Sequence, residues 1–309
     1  MNPFLNPKPT AAADRAHSKY SASGSERWLD CAASVALEES MPPTPGTPWS
    51  MEGTFGHAQC ESLLNGTGWV PNPMDVKDLR REHETHPRSR STIEGLRLTG
   101  EMKAAVTKCV QYVNDLHARV GGKLFIEKRI YMTFLHPEMF GTCDVIIAVV
   151  GDVLHIIDFK FGKGHVVDPK ENTQMIQYAL GVAESYNWNF KTVVMHILQP
   201  RAGVGSWFKT WTVTIAELKK WVFIFERGVQ RVEANKSKPF PGGHCHWCKA
   251  KSKCPAKQEA GVQKIVDIFS TKPIKGDKAN GIQKESESFE GFEEEFEKDE
   301  EVFGPQDFF

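Results

Sequence analysis

The spacing of apolar residues changes several times along the chain, and each change marks an element. A helix is expected to start near Glu52 and to run through the stretch GTFGHAQCESLL, residues 53–64. In it His57 and Glu61 are four apart and share a face. Residues 92–119 keep a helical apolar period and stop before Gly121-Gly122. The pattern then turns to β-branched and aromatic runs at 123–131, 143–150 and 153–160, which read as strands. The short Gly151-Asp152 link between the last two reads as a tight hairpin. Helical spacing returns at 170–186 and 215–234, with strands at 191–199 and 206–213. This order predicts an α/β fold with a central mixed sheet flanked by helices. No internal repeat interrupts it.

The intervening stretches are polar or rich in proline. Residues 41–50 hold four prolines and one glycine, which predicts a rigid loop. Residues 71–90 read as a polar, basic loop. Residues 1–20 read as a flexible arm. Past about residue 266 the apolar period vanishes into Lys, Gly, Ser and Glu with isolated Phe, the composition of a disordered tail. The expected organisation is an arm at 1–20, a folded body at 21–265 and a tail at 266–309.

Charge adds an asymmetry. The chain of 309 residues has a formal net charge of −1. Residues 284–309 contain eleven acidic and two basic residues, which leaves a balance of +8 in the remainder. A mildly basic body with an acidic appendage fits a polyanion-binding domain. No run of about 18 apolar residues is present, so no transmembrane span is expected. The N-terminal stretch MNPFLNPKPTAAADRAHSKY lacks the apolar core of a secretory signal, which makes a cytoplasmic location the expectation. Seven cysteines, an odd number, argue against a disulfide framework in that compartment.

The candidate chemistry lies in GTCDVIIAVVGDVLHIIDFK. Asp144 opens one strand of the hairpin and Asp158 closes the next, so antiparallel pairing puts both at one end of the sheet. Lys160, two residues on, shares the face of Asp158. Two carboxylates and an ammonium at one sheet edge suit phosphodiester hydrolysis. Hard carboxylate oxygens hold Mg²⁺ or Mn²⁺, which acidifies water and offsets charge at phosphorus. A lysine can orient the attacking water and stabilise the transition state. His57 on the preceding helix is a further candidate ligand, and imidazole suits Mn²⁺ better than Mg²⁺.

These motifs together resemble the PD-(D/E)XK nuclease superfamily and its RecB-like branch. That branch carries a G-x-x-x-H helix, here Gly53 to His57, then a G-x-x-D strand, here Gly141 to Asp144. D-x-K follows at Asp158-Phe159-Lys160 and Q-x-x-x-Y at Gln174 to Tyr178, all in family order. The resemblance implies a PD-(D/E)XK core with metal held by His57, Asp144, Asp158 and the Phe159 carbonyl. It implies Lys160 as the catalytic lysine, with Gln174 and Tyr178 contacting DNA or bracing the site. Glu127 occupies a position often acidic in the branch and reads as a supporting carboxylate or a plain surface charge. Glu61 reads as a brace for the helix.

Cys245-His246-Trp247-Cys248 followed by Cys254 forms C-x₂-C-x₅-C, led in by the turn-forming Pro241-Gly242-Gly243. Cys31 is the candidate fourth thiolate. This pattern resembles the iron–sulfur RecB-like nucleases of the AddB and CRISPR-associated exonuclease types. It implies a [4Fe-4S] cluster joining the N- and C-terminal segments of the body. Zinc is the competing metal, with His244 or His246 as a possible ligand. Ala32 follows Cys31 where relatives commonly have proline. Cys60, Cys109 and Cys143 fall in helix and strand and read as buried small hydrophobes.

The tail punctuates its acidic run with Phe289, Phe292, Phe296, Phe303, Phe308 and Phe309. It resembles the C-terminal tails of single-stranded-DNA-binding proteins, which implies a replication or recombination partner or competition with DNA for the body. The resemblance as a whole implies a metal-dependent deoxyribonuclease, an exonuclease acting from single-stranded or duplex DNA ends. It also implies a phage-encoded member serving recombination, replication or host DNA degradation. The alternative from another class is a non-catalytic DNA-binding or assembly protein that keeps the fold. A zinc-stabilised RNA-processing factor is a third. No phosphate loop of the helicase type occurs.

Overall fold

The computed structural model describes residues 18–203, 205 and 207–270. The greater part of the expected arm, residues 1–17, and the tail residues 271–309 lie outside the described residues. Two compact units divide the chain, one ending at Pro239 and one beginning at Phe240.

The first unit opens with two short helices, α1 (Ser25–Asp30) and α2 (Ala33–Glu39). Helix α3 (Pro48–Leu64) begins where Pro48 occupies its first turn and Thr47 and Ser50 cap each other reciprocally, an arrangement that satisfies orphan backbone donors. It buries Met51, Phe55, Gly56, Gln59 and Cys60 along one face. Next come α4 (Lys77–Thr85), α5 (Arg90–Gly95) and the long α6 (Gly100–Val120). Strands β1 (Lys123–Tyr131), β2 (Phe140–Val149) and β3 (Val153–Phe159) follow, then α7 (Thr173–Ser185), β4 (Thr192–Leu198), β5 (Phe208–Thr214) and α8 (Ile215–Ala234).

The five strands form one sheet in the order β1-β2-β3-β4-β5. All neighbours are antiparallel except β3 and β4, which run parallel. Helix α7 is the crossover that the parallel pair requires. The fold is therefore mixed α/β with a five-stranded sheet flanked by helices. One face of the sheet packs Ile146, Ala148, Leu154 and Ile156 with α7 and α8 into the larger core. The other packs Val145, Ile147, Ile157 and Phe159 with α6 into a second core. Cys60, Cys109 and Cys143 are fully buried, as expected of small hydrophobes.

Several expectations need correction. The stretch 71–90 is not a loop. It holds α4 and two 3₁₀ turns, because Val76, Leu79 and Ile93 bury with Met51 and Phe55 in a small separate cluster. A few apolar residues among many charges sufficed, too sparse to register as a period. The single helix expected at 92–119 is two, broken at 96–99, where the Thr99 side chain caps α6. The expected arm ends earlier than residue 20. Tyr20 is fully buried, its carbonyl accepts from Gln177 Nε2 at 2.9 Å, and its hydroxyl donates to Glu233.

The second unit contains a 3₁₀ turn at Gly243–Trp247 and helix α9 (Pro255–Ser270). That helix passes residue 265, where the body was expected to end. No helix among the described residues is long and apolar enough to cross a membrane.

Candidate active site

The β2–β3 hairpin turns through Val150–Asp152, with Gly151 at φ +84°. Its ladder pairs Val145 with Ile157, so the next position sets Asp144 opposite Asp158. The β1–β2 ladder pairs Ile126 with Val145 and Lys128 with Cys143, and skips the pair between them, Glu127 and Asp144. Three acidic residues thus stand at one level across three adjacent strands.

The skipped pair is a distortion. Glu127 has φ +46°, a left-handed conformation costing a side-chain-bearing residue roughly 1–2 kcal/mol. Both strands change faces there. Phe125 and Ile130 pack on the same core although five apart, and so do Cys143 and Ile146, three apart. Regular alternation would set each pair on opposite faces. Strain of this kind persists where surrounding structure holds it, characteristically at functional sites.

Helix α3 brings His57 to this point. Its Nδ1 lies 3.3 Å from Asp144 Oδ2, and donor atoms of His57, Glu127 and Asp144 all fall within 4.8 Å of one another. The close approach of the helix depends on Gly56, where an added Cβ would sit 2.7 Å from the Phe161 ring. Phe161 also packs edge-on against His57, ring centroids 5.5 Å apart. The other oxygen contact of Asp144 is the Phe159 N–H, which donates to Oδ2 at 2.6 Å.

Asp158 belongs to a neighbouring set. Its Oδ2 lies 2.8 Å from Lys160 Nζ, and its Oδ1 accepts from Gln174 Nε2 at 2.8 Å. Gln174 Oε1 in turn accepts from Lys160 Nζ at 3.1 Å, closing a ring of three side chains. Gln174 sits in the first turn of α7, whose start is fixed by the Asn172 cap. One turn on in the same helix stands Tyr178, which is buried. Gly141 makes room for it, since a Cβ there would lie 2.8 Å from the Tyr178 ring. Asp158 is almost wholly buried, while 28 % of the Lys160 side chain and 32 % of the His57 side chain remain exposed.

The electrostatics suit the binding of a cation. Burial pushes the Glu127 pKa up, the Asp144 charge pushes it further, and it reaches about 8. Burial alone would lower the His57 pKa, but Asp144 outweighs it and raises it to about 9. Burial would raise Asp144, and the His57 and Phe159 contacts instead hold it below the usual carboxylate range. Burial raises Asp158 despite Lys160. Two carboxylates and an imidazole crowded together with one carboxyl driven toward protonation form a donor set that a divalent cation would relieve.

Measured against the sequence, His57, Asp144, Asp158, Lys160, Gln174 and Tyr178 come together in two touching sets. Asp158 is outside the trio of potential ligands, and Glu127 is inside it. Glu61 is exposed and does not belong to the trio. The residues that sequence reasoning passed over are Gln199 and Arg201, both buried. Arg201 bonds Glu52 of α3 at 3.0 Å, Glu101 of α6 at 3.1 Å and the Phe161 carbonyl at 3.1 Å. The only signal for them was two long polar side chains directly after a strand.

In the second unit Cys245, Cys248 and Cys254 are each 8 % exposed. The Gly242 N–H donates to Cys245 Sγ at 3.4 Å, and His244 Nε2 lies 3.0 Å from the Phe240 carbonyl. Among the described residues these three cysteines form no ligand group at the 4.8 Å spacing that unites His57, Glu127 and Asp144.

A model of the family described as "Protein of unknown function (DUF2800)" matches residues 17–299. Among solved structures, one described as a "Putative exonuclease" from Eubacterium rectale is similar over 81 % of this chain and 92 % of that one. The identity is 10 % and the TM-score 0.43. A second, named SSO0001, is similar over 75 % of this chain and 96 % of that one, with 12 % identity and a TM-score of 0.25.

Proposed function

The chain belongs to the DUF2800 family of proteins of unknown function, and we propose that it is a metal-dependent deoxyribonuclease of the PD-(D/E)XK, RecB-like kind. The observation that carries this reading is the adjacency of two polar sets at one sheet edge, linked where the Phe159 N–H donates to Asp144. His57, Glu127 and Asp144 supply a compact nitrogen and oxygen donor set. Beside it, Lys160 is held 2.8 Å from Asp158 and 3.1 Å from Gln174.

His57, Asp144 and Glu127 would hold the divalent ion, with Asp158 and the Phe159 carbonyl completing its surroundings. Mg²⁺ and Mn²⁺ both suit the carboxylates, and the imidazole favours Mn²⁺. Such an ion supplies Lewis-acid stabilisation of charge at phosphorus and acidifies water. The residues do the rest. Asp158 and Gln174 fix the Lys160 ammonium in one orientation, which suits it to place the attacking water or to stabilise charge on the oxygens of the pentacoordinate phosphorus. Gln174 and Tyr178, one turn apart in α7, would contact the DNA backbone or brace the site. DNA is the proposed substrate, with cleavage from ends.

The proposed cysteine role rests on spacing. Cys245, Cys248 and Cys254, with Cys31 as the fourth thiolate, suit a [4Fe-4S] cluster better than zinc. The N–H donated to Cys245 Sγ is the type of contact that stabilises a thiolate ligand.

The test is digestion of end-labelled single- and double-stranded DNA by the full chain with Mg²⁺ or Mn²⁺, with Asp158→Ala as control. Metal-dependent cleavage by the wild type and none by the variant is expected. Equal inertness of both on all DNA substrates would leave a binding or assembly role, and cleavage of RNA alone would make it an RNA-processing factor.

A further inference from the structure

Directly after Lys160 and Phe161 the chain runs through five exposed residues, Gly162 to Val166. Exposed loops of this kind usually relax into solvent, but this one is tied down by buried side chains. Gln199 Nε2 donates to the carbonyls of Gly162 at 3.2 Å and His165 at 2.6 Å, and its Oε1 accepts from the Val167 N–H at 3.0 Å. Arg201 Nη1 donates to the Phe161 carbonyl at 3.1 Å. A loop fixed at both ends, yet left exposed by the described residues, has its shape set for a binding partner.

Its glycines point the same way. Neither Gly162 nor Gly164 has a left-handed φ, and a Cβ added to either would meet nothing within 4 Å. Neither backbone conformation nor packing therefore calls for glycine. What glycine provides there is room for a ligand to approach the main chain. Between and after them stand Lys163 and His165, both exposed. Lys163 Nζ pairs with Glu101 at 2.8 Å, and about half of each side chain is exposed. A contact so open to water exchanges readily for a phosphate.

We propose that Gly162–His165 is a phosphate-binding loop that holds a nucleic-acid backbone beside Lys160. Lys163 and His165 are its contacts, and Gln199 and Arg201 are the buried struts that fix its shape. The proposal rests on the nuclease reading for the identity of the polyanion. It does not depend on the metal.

The experiment separates the two. Binding of a fluorescently labelled oligonucleotide by the full chain is followed by anisotropy in EDTA across a salt series, and cleavage is followed separately with Mn²⁺. The variants are Lys163→Ala with His165→Ala, Gln199→Ala, and Lys191→Ala as a control at the opposite end of β4. The double variant is expected to bind at least tenfold more weakly. Its slope of log affinity against log salt should be shallower by about 1 for the lost phosphate contact. In cleavage it should raise KM with kcat within about twofold. Gln199→Ala should reproduce the KM effect with kcat retained, a split that general loss of folding does not give. Lys191→Ala should match the wild type. A double variant with wild-type affinity and salt slope overturns the loop proposal, even if the enzyme cuts DNA. Loss of binding in the double variant with no cleavage by any form would support the loop and sink the nuclease reading. Failure of the wild type to bind the oligonucleotide overturns both.

Discussion

Glu127 stands across the β1–β2 ladder from Asp144 in a left-handed conformation, and both strands change faces at that pair. A half-buried carboxylate is thereby set against the buried one of Asp144, with His57 as the nearest counter-charge. Glu127→Gln should act in opposite directions with and without metal. In EDTA the variant should melt at a higher temperature, because a carboxyl disfavoured by burial and by Asp144 is gone. With saturating Mn²⁺ it should lose stabilisation, by about 1.4 kcal/mol for each tenfold fall in affinity. Calorimetric scans in the two conditions check the crossing. Parallel shifts would mean that Glu127 does not serve the cation.

Lys160→Met should abolish cleavage and also destabilise the protein. Asp158 is 2 % exposed, and the substitution leaves its charge without the ammonium 2.8 Å away. Breaking one partner of a buried pair costs about 3–5 kcal/mol, less here because Lys160 is partly exposed. Urea denaturation alongside the DNA assay measures both effects. Inactivity with unaltered stability would show that Asp158 accommodates itself without Lys160.

Two histidines in the second core predict a pH dependence. His155 Nδ1 lies 2.9 Å from His196 Nε2, and the Tyr112 hydroxyl lies 2.9 Å from His196 Nδ1. Burial, chiefly, lowers their pKa values to about 4 for His155 and about 3 for His196. Both are therefore neutral in the folded protein at a pH where the unfolded chain takes up protons. Their stability contribution is complete above about pH 6.5 and is lost as pH falls toward 4, by up to about 1.4 kcal/mol per pH unit for each. Denaturation midpoints between pH 8 and 5 should show this slope, and His155→Gln should flatten it. An equal slope in the variant would assign the loss to other groups.

Helix α3 offers a paired test of glycine. A Cβ at Gly53 meets nothing within 4 Å, whereas one at Gly56 strikes the Phe161 ring. Gly53→Ala should raise stability by about 0.5–1 kcal/mol through helix propensity. Gly56→Ala should lower it by about 1–3 kcal/mol through overpacking and should displace His57. Thermal midpoints of the two variants decide it, with opposite signs expected.

Iron and sulfide analysis of anaerobically purified protein should return close to four of each per chain. A brown colour should be lost in Cys248→Ser. Zinc without iron would overturn the cluster.

The sequence carried the site unevenly. Counting back from the Gly151-Asp152 turn was enough to set Asp144 against Asp158, because a hairpin fixes its own register. Helix α3 was readable from about Glu52 onward, but it begins at Pro48, inside the stretch 41–50 that was expected to be a rigid loop, because a proline is tolerated in the first turn. Glu127 was not readable as a ligand. Residues 132–139 separate β1 from β2, and neither that connection's length nor a non-glycine residue reveals a left-handed twist. Helix α4 and the 3₁₀ turns of 71–90 were not legible because they form through a few long-range apolar contacts. The roles of Gln199 and Arg201 emerge only once the loop after Lys160 is folded over them.

The burial of Tyr20 has a consequence for synthesis of the protein. Its hydroxyl partner, Glu233, lies 213 residues further along the chain. At about 5–20 residues per second the ribosome needs roughly 10–40 s to make that stretch. For that interval an aromatic residue meant for the interior waits without its full set of partners, so chaperone occupancy of the nascent chain around Tyr20 should end only as α8 emerges.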